Sequence, residues 1–259
     1  MDRDHVLSLF DRQMRRGARP DDPTARVERV GDVVRQAGGP AAWNGVLWSD
    51  LTEETADAAI AEQLRHFGEL GHGFEWKLYS HDRPADLATR LRAAGFVPEA
   101  AESLMVAAVA ELSDQVVLPE GVRLRAVTDA AGVDLVADVH EQVFRSSRSR
   151  LRQRLLSQLA HHPDTVSAVV AMAGDVPVAA ARMELHAGTE FAGLWGGGTL
   201  AAWRGRGIYR ALVAHRVRLA ADRGYRWLQV DASDASRPIL ERLGFEALGT
   251  TTPYRHDVG

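Results

Sequence analysis

Residues 204–207 read Arg-Gly-Arg-Gly, and they run straight into the amphipathic segment that begins Ile208-Tyr209-Arg210. Glycine lets a backbone come close to a ligand, and a helix start presents unpaired N–H groups with a partial positive charge. Arginine adds charge-assisted bonds to phosphate oxygens. Arg204, Gly205, Arg206, Gly207, Ile208, Tyr209 and Arg210 could therefore cradle a pyrophosphate. Alone, such a run reads first as a solvated basic loop. Its setting shifts the balance, with a strand ahead and a helix behind. Three glycines, 196–198, end that strand and ought to weaken it. Close approach of a ligand accounts for them better than stability does, and a bulge or bend is the alternative.

The elements that must hold this loop follow from periodicity. In the second half, strands are expected at "VRLRAV", "TVSAVVAMA", "VPVAAARMEL", "EFAGLWGGGTL", "GYRWLQVDA" and "EALGTTTPY". Helices are expected over about 129–144, 149–161 and 208–222, and in a run ending "ILERLGF". Gly174-Asp175 and Ala187-Gly188 supply turns. The order β-α-α-β-β-β-α-β-α-β makes an α/β domain with a mixed sheet.

The first half closes in the same way. A helix over about 53–70 leads to "GFEWKLYS", a helix ending "RLRAAGF" and the strand "ESLMVAAVAEL". Gly73-Phe74-Glu75-Trp76 matches Gly224-Tyr225-Arg226-Trp227 in type and order, and Gly95-Phe96 matches Gly244-Phe245. This is the pattern of an internal duplication. A Pro/Gly-bearing stretch from Ser113 to Gly121 suggests domains at 1–115 and 116–259.

Composition removes several functions. With no cysteine, disulfides, thiolate metal sites and a cysteine nucleophile are excluded. The first 17 residues lack an apolar stretch and no run approaches 18 apolar residues, so a cytoplasmic protein with no membrane partner is expected. Residues 1–115 carry 20 acids against 13 bases, a net of −7, and residues 116–259 carry 15 against 18, a net of +3. That excess is too small for a nucleic-acid binder but suits a polyanionic small ligand.

With loop, strand and closing Gly-Phe in place, residues 122–259 resemble the GNAT superfamily of acyl-CoA-dependent N-acetyltransferases. The signature Gln/Arg-x-x-Gly-x-Gly/Ala is met at Arg204 and Gly207, with Tyr209 standing where a small residue is usual. The upstream proline of the family is absent. The resemblance implies two GNAT-like α/β domains, each a mixed, mostly antiparallel sheet flanked by helices. Residues 1–115 would be a degenerate copy, because "SDLTEETADAA" stands where the second half has its Arg-Gly loop, and its four acids would repel a pyrophosphate.

The resemblance further implies acetyl-CoA as co-substrate, no metal, and an amine on a small molecule or peptide as acceptor. The backbone of Gly197, Gly198 and Thr199 would pair with pantetheine, and Gly205 to Arg210 would hold the pyrophosphate. The glutamate that many members carry on this strand falls at Gly193. Glu190 and Asp231 become the candidate general bases, with Glu184 and His186 behind them. The tyrosine that often protonates the leaving thiolate falls at Leu240, with Tyr209 and Tyr254 as conceivable substitutes, while the nearby Ser233 and Ser236 would be poor acids and more often cap a helix. The His161-His162 pair suits no metal, since adjacent residues do not share a helical face. A non-catalytic acyl-CoA-binding or regulatory module is the alternative, and the acceptor and oligomeric state stay open.

Overall fold

Small and acidic residues mark where helices begin and end. Asp2 accepts from the His5 N–H at 3.2 Å and Asp129 from the Gly132 N–H at 2.7 Å, each capping a helix start. Gly71 ends another helix in the left-handed conformation, at φ 66°. The computed structural model describes residues 1–21, 24–39, 42–145 and 147–257.

The chain begins with α1 (Arg3–Phe10), extended by a π-helical turn over Asp11–Arg16, and the strands β1 (Arg26–Val30), β2 (Val33–Ala37) and β3 (Gly45–Ser49). Next come α2 (Ala56–Leu70), β4 (Phe74–Tyr79), α3 (Leu87–Ala93), β5 (Val97–Pro98) and β6 (Glu102–Ala108). Then follow β7 (Val122–Ala126), α4 (Ala130–Phe144), α5 (Arg148–His161), β8 (Val166–Ala173), β9 (Val176–Leu185) and β10 (Phe191–Thr199). The last elements are α6 (Ile208–Asp222), β11 (Trp227–Ala232), α7 (Arg237–Arg242) and β12 (Glu246–His256). From β7 onward the order is the one read from the sequence.

Two compact units emerge, and they interleave along the chain. The first holds Met1–Met105, Asp231–Pro238 and Ala247–Gly259, and the second holds Val106–Val230 and Ile239–Glu246. The stretch 113–121 lies within the second unit. Proline and glycine there mark a break in local structure, whereas strand pairing decides which residues fold together.

In the first unit the strands run β1-β2-β3-β4-β12. β12 lies antiparallel to β4, from Thr251 opposite Tyr79 to His256 opposite Phe74. β3 and β4 are parallel. Val33, Val46, Ile60, Phe67, Phe74, Trp76, Leu91 and Tyr254 form the core, with the Phe67 and Phe74 rings stacked 4.2 Å apart.

In the second unit the strands run β11-β10-β9-β8-β7, antiparallel except for the β10–β11 pair. Alternation along β8 serves two faces. Val166, Ala168 and Val170 meet Val133, Val136 and Leu155 of α4 and α5. Val169 and Ala171 meet Ile208 and Leu212 of α6. The helix that follows the Arg-Gly loop is thus anchored by apolar residues from its first position.

Candidate functional site

β10 and β11 pair at Phe191–Trp227, Ala192–Leu228 and Gly193–Gln229. Both strands continue, but no further rung joins them among the described residues. Past Gly193, backbone N–H and C=O groups of β10 on this edge are therefore not taken up by β11 among the described residues and can pair with a ligand.

On its other edge β10 carries a bulge. Trp195 sits opposite Arg182, and the next rung joins Gly198 to Ala180, so three steps on β10 match two on β9. Gly196 takes the left-handed conformation, at φ 55°. A β-carbon on Gly197 would lie 3.2 Å from Tyr209 Cε2 and 3.4 Å from Arg216 Nη2, and one on Gly198 would lie 2.8 Å from Val143 Cγ1. The triple glycine therefore makes a bulge and also allows neighbouring side chains to close on it. Thr199 is buried, and its Oγ1 has no hydrogen-bond partner among the described residues.

A 3-10 turn over Ala201–Trp203 leads into the loop. Gly205 and Gly207 have φ of 76° and 81°, and a β-carbon on either would meet nothing within 4 Å. Glycine is needed here for backbone handedness, and the space beside it is open. The leading N–H groups of α6, at Ile208, Tyr209 and Arg210, have no side-chain cap among the described residues. Arg204 Nε donates to the Thr199 carbonyl at 3.1 Å, tying loop to strand. The Arg206 guanidinium lies over Trp203, 4.6 Å from the ring centroid. Exposed cationic groups and uncapped amides come together here, as an anion site requires.

Beneath the bulge lies Arg216, which the sequence reading missed. It is 2% exposed, and it donates from Nε to the Leu212 carbonyl at 3.0 Å and from Nη1 to the Arg182 carbonyl at 3.3 Å. Burial lowers its pKa to about 10, with Tyr209 opposing. Burial raises the Tyr209 phenol, with Arg216 opposing. The signal was an arginine within the buried stripe Leu212, Arg216, Ala220 of α6.

The carboxylates singled out from sequence are both engaged. Glu190 precedes β10, at the closed end of the ladder, and its Oε2 accepts from Arg226 Nη1 at 2.8 Å. Asp231 belongs to the first unit, where its carboxylate pairs with Lys77, the chain's lone lysine. Burial opposes the Lys77 charge, yet Asp231, Tyr79 and Glu75 hold that ammonium above its ordinary value. Glu102 is pushed up to about 7 by burial and by Asp231, with Lys77 pulling the other way.

The remaining candidates fall in several places. Glu184 is 8% exposed and accepts from Arg154 Nη2 at 2.9 Å. His186 follows β9, with its Nε2 near Gly193. Ser236 turns back on the Ser233 carbonyl at 3.1 Å. Tyr254 lies in the core of the first unit, and Leu240 is fully buried. Nothing in the sequence pointed to Gln229 or Trp195, whose roles depend on strand register.

Residues 133–245 match the acetyltransferase (GNAT) family. Three solved structures share the fold over nearly the whole chain. A GCN5-related N-acetyltransferase from Kribbella flavida is 18% identical with a TM-score of 0.70, over 98% of this chain and 95% of that one. A conserved protein of unknown function from Staphylococcus epidermidis ATCC 12228 is 13% identical with a TM-score of 0.68, over 90% and 94%. A tandem GNAT protein from the clavulanic acid biosynthesis pathway is 13% identical with a TM-score of 0.61, over 100% and 96%. No curated protein matches the sequence.

Proposed function

We propose, from the premise that this chain is a GNAT superfamily protein with its two halves in tandem, that it transfers an acetyl group from acetyl-CoA to a primary amine. The observation that carries this reading is the parting of β10 and β11 beside a glycine bulge, with the uncapped start of α6 at its mouth. The backbone of Gly197, Gly198 and Thr199 would pair with the pantetheine amides. Arg204, Gly205, Arg206, Gly207, Ile208, Tyr209 and Arg210 would hold the pyrophosphate. In this reading residues 116–259 supply the coenzyme site and residues 1–115 supply none. Transfer then needs the amine neutral and close to the thioester carbon, and the thiolate is itself a moderate leaving group.

A second reading is a module that binds acyl-CoA without catalysis. The space above Gly193 is filled, Glu190 and Asp231 are ion-paired, and Leu240 is apolar.

One experiment separates the two. Release of free CoA is followed with acetyl-CoA and a panel of primary amines, and CoA is titrated calorimetrically into the wild type and Gly207→Glu. Transfer predicts amine-dependent release, and the module predicts binding without it. Gly207→Glu sets a carboxylate against the pyrophosphate and should abolish binding in either case. Unchanged CoA affinity in that variant would remove the site assignment.

A further inference from the structure

Gly193 has the place on β10 where, by the family resemblance, a catalytic glutamate would stand. A β-carbon there would lie 2.7 Å from Trp195 Nε1, 2.8 Å from Gln229 Nε2 and 3.4 Å from His186 Nε2. Three side-chain nitrogens thus converge over one glycine. They are not equivalent in chemistry. An indole N–H only donates, a carboxamide nitrogen is not basic, and an imidazole Nε2 can accept a proton near neutral pH.

We infer that His186 is the general base of the transfer reaction, an inference that rests on the acyl-transfer reading above. Gly193 is the last residue of β10 paired to β11 among the described residues, so the imidazole lies where that ladder ends. The loop that carries it is fixed, because the His186 carbonyl accepts from the Thr189 N–H at 3.1 Å and from Thr189 Oγ1 at 2.8 Å. Charged and titratable groups on neighbouring elements include Glu184 and Arg182 of β9, Arg154 of α5 and His140 of α4. Glu184 lies directly opposite Gly193 across the β9–β10 pair, but Arg154 holds its carboxylate at 2.9 Å. Burial, with Arg182 nearby, pushes His140 down to about 4.

In the step, the amine nitrogen bonds to the thioester carbon and the C–S bond breaks, its electron pair leaving on sulfur. The proton shed by nitrogen goes to His186 Nε2, and the thiolate is protonated from water. One positioned base of this kind contributes about 10²–10⁴-fold.

His186→Gln and His186→Asn test this against the wild type, with amine-dependent CoA release as the readout. The kcat/KM for amine should fall by about 10²–10⁴ near neutral pH, and its pH profile should keep only the limb set by deprotonation of the amine. Acetyl-CoA affinity should not change, which separates loss of the base from loss of the fold. Imidazole added to His186→Ala should restore part of the rate. Wild-type rate and profile in either folded variant, or no rescue, would overturn the base assignment while leaving transfer intact. A wild type that binds acetyl-CoA and releases none would overturn the transfer reading, and the base with it.

Discussion

Gly193 and Gln229 face each other across the last rung of the β10–β11 ladder, and the Gln229 amide nitrogen lies 2.8 Å from where a β-carbon on Gly193 would sit. The Trp195 indole nitrogen is closer still, at 2.7 Å, and its ring is rigid. Gly193→Ala should therefore destabilise by about 1–3 kcal/mol through overpacking. Gln229→Ala in the same chain should recover part of that cost. A denaturant double-mutant cycle measures the coupling. Strict additivity would show that the two residues do not compete for this space.

The two loop arginines should separate. Arg206 rests on Trp203 and faces solvent, so Arg206→Ala should cost about 1–3 kcal/mol of CoA affinity, as for one charged hydrogen bond, with little effect on melting. Arg204 also anchors the loop to Thr199, so Arg204→Ala should reduce both affinity and melting temperature. Calorimetric titration and thermal melts on the same samples make the comparison. Equal effects on melting would mean that Arg204 holds nothing in place.

Chain ends should matter more than their position suggests. Removing residues 247–259 strips β12 from the first unit and opens the β4 edge, along with the contacts of Thr251 and Tyr254, which are 0% and 2% exposed. An exposed apolar edge of this kind aggregates. The truncated chain, and a fragment of residues 1–115, should be insoluble or show no cooperative melt. A soluble, cooperatively melting 1–115 fragment would contradict the pairing of β12 with β4.

That last pairing shows where sequence stops being informative. Periodicity and glycine stops delivered β7 to β12 and α4 to α7 in order, because each depends on neighbours within a few residues. That β12 pairs with β4 depends on residues more than 170 positions away, and local pattern carries no trace of it. Gly31-Asp32, set between Val30 and Val33, was a hairpin signal for β1 and β2 that went unread. At the site, the loop was legible because glycine and arginine act through their own chemistry. The polar cluster over Gly193 was not, because His186, Trp195 and Gln229 meet only through strand register.

Two titrating groups should pull stability in opposite directions with pH. His140 sits near 4 when folded, through burial and Arg182, against about 6.5 when unfolded. Between those values the unfolded chain binds the extra proton, so this contribution is present above about 6.5 and lost as pH falls toward 4. Glu102 sits near 7 when folded, through burial and Asp231, against a model-peptide value of about 4.3. There the folded chain binds the extra proton, so its contribution is present below about 4.3 and lost as pH rises through 7. Relative to wild type, His140→Gln should gain denaturant midpoint as pH falls, and Glu102→Gln should gain it as pH rises. Parallel curves for wild type and either variant would remove that group from the balance.

The leaving thiolate poses the last test. Leu240, which by the family resemblance falls where a tyrosine often stands, is fully buried, and its carbonyl accepts from the Phe245 N–H at 3.0 Å. A tyrosine there must fit a larger ring and find a partner for its hydroxyl, so Leu240→Tyr should destabilise by about 1–3 kcal/mol and give no gain in rate. If no side chain protonates the thiolate, the rate should rise with pH as the amine deprotonates and should show no fall near 10. That profile alone does not dispose of Tyr209, because burial raises its phenol and would carry any alkaline fall beyond the usual range. Tyr209→Phe is therefore the deciding comparison. Loss of less than about tenfold in kcat, with acetyl-CoA affinity kept, is the expected outcome. A loss of about 10²–10⁴ at unchanged affinity would instead identify Tyr209 as the acid.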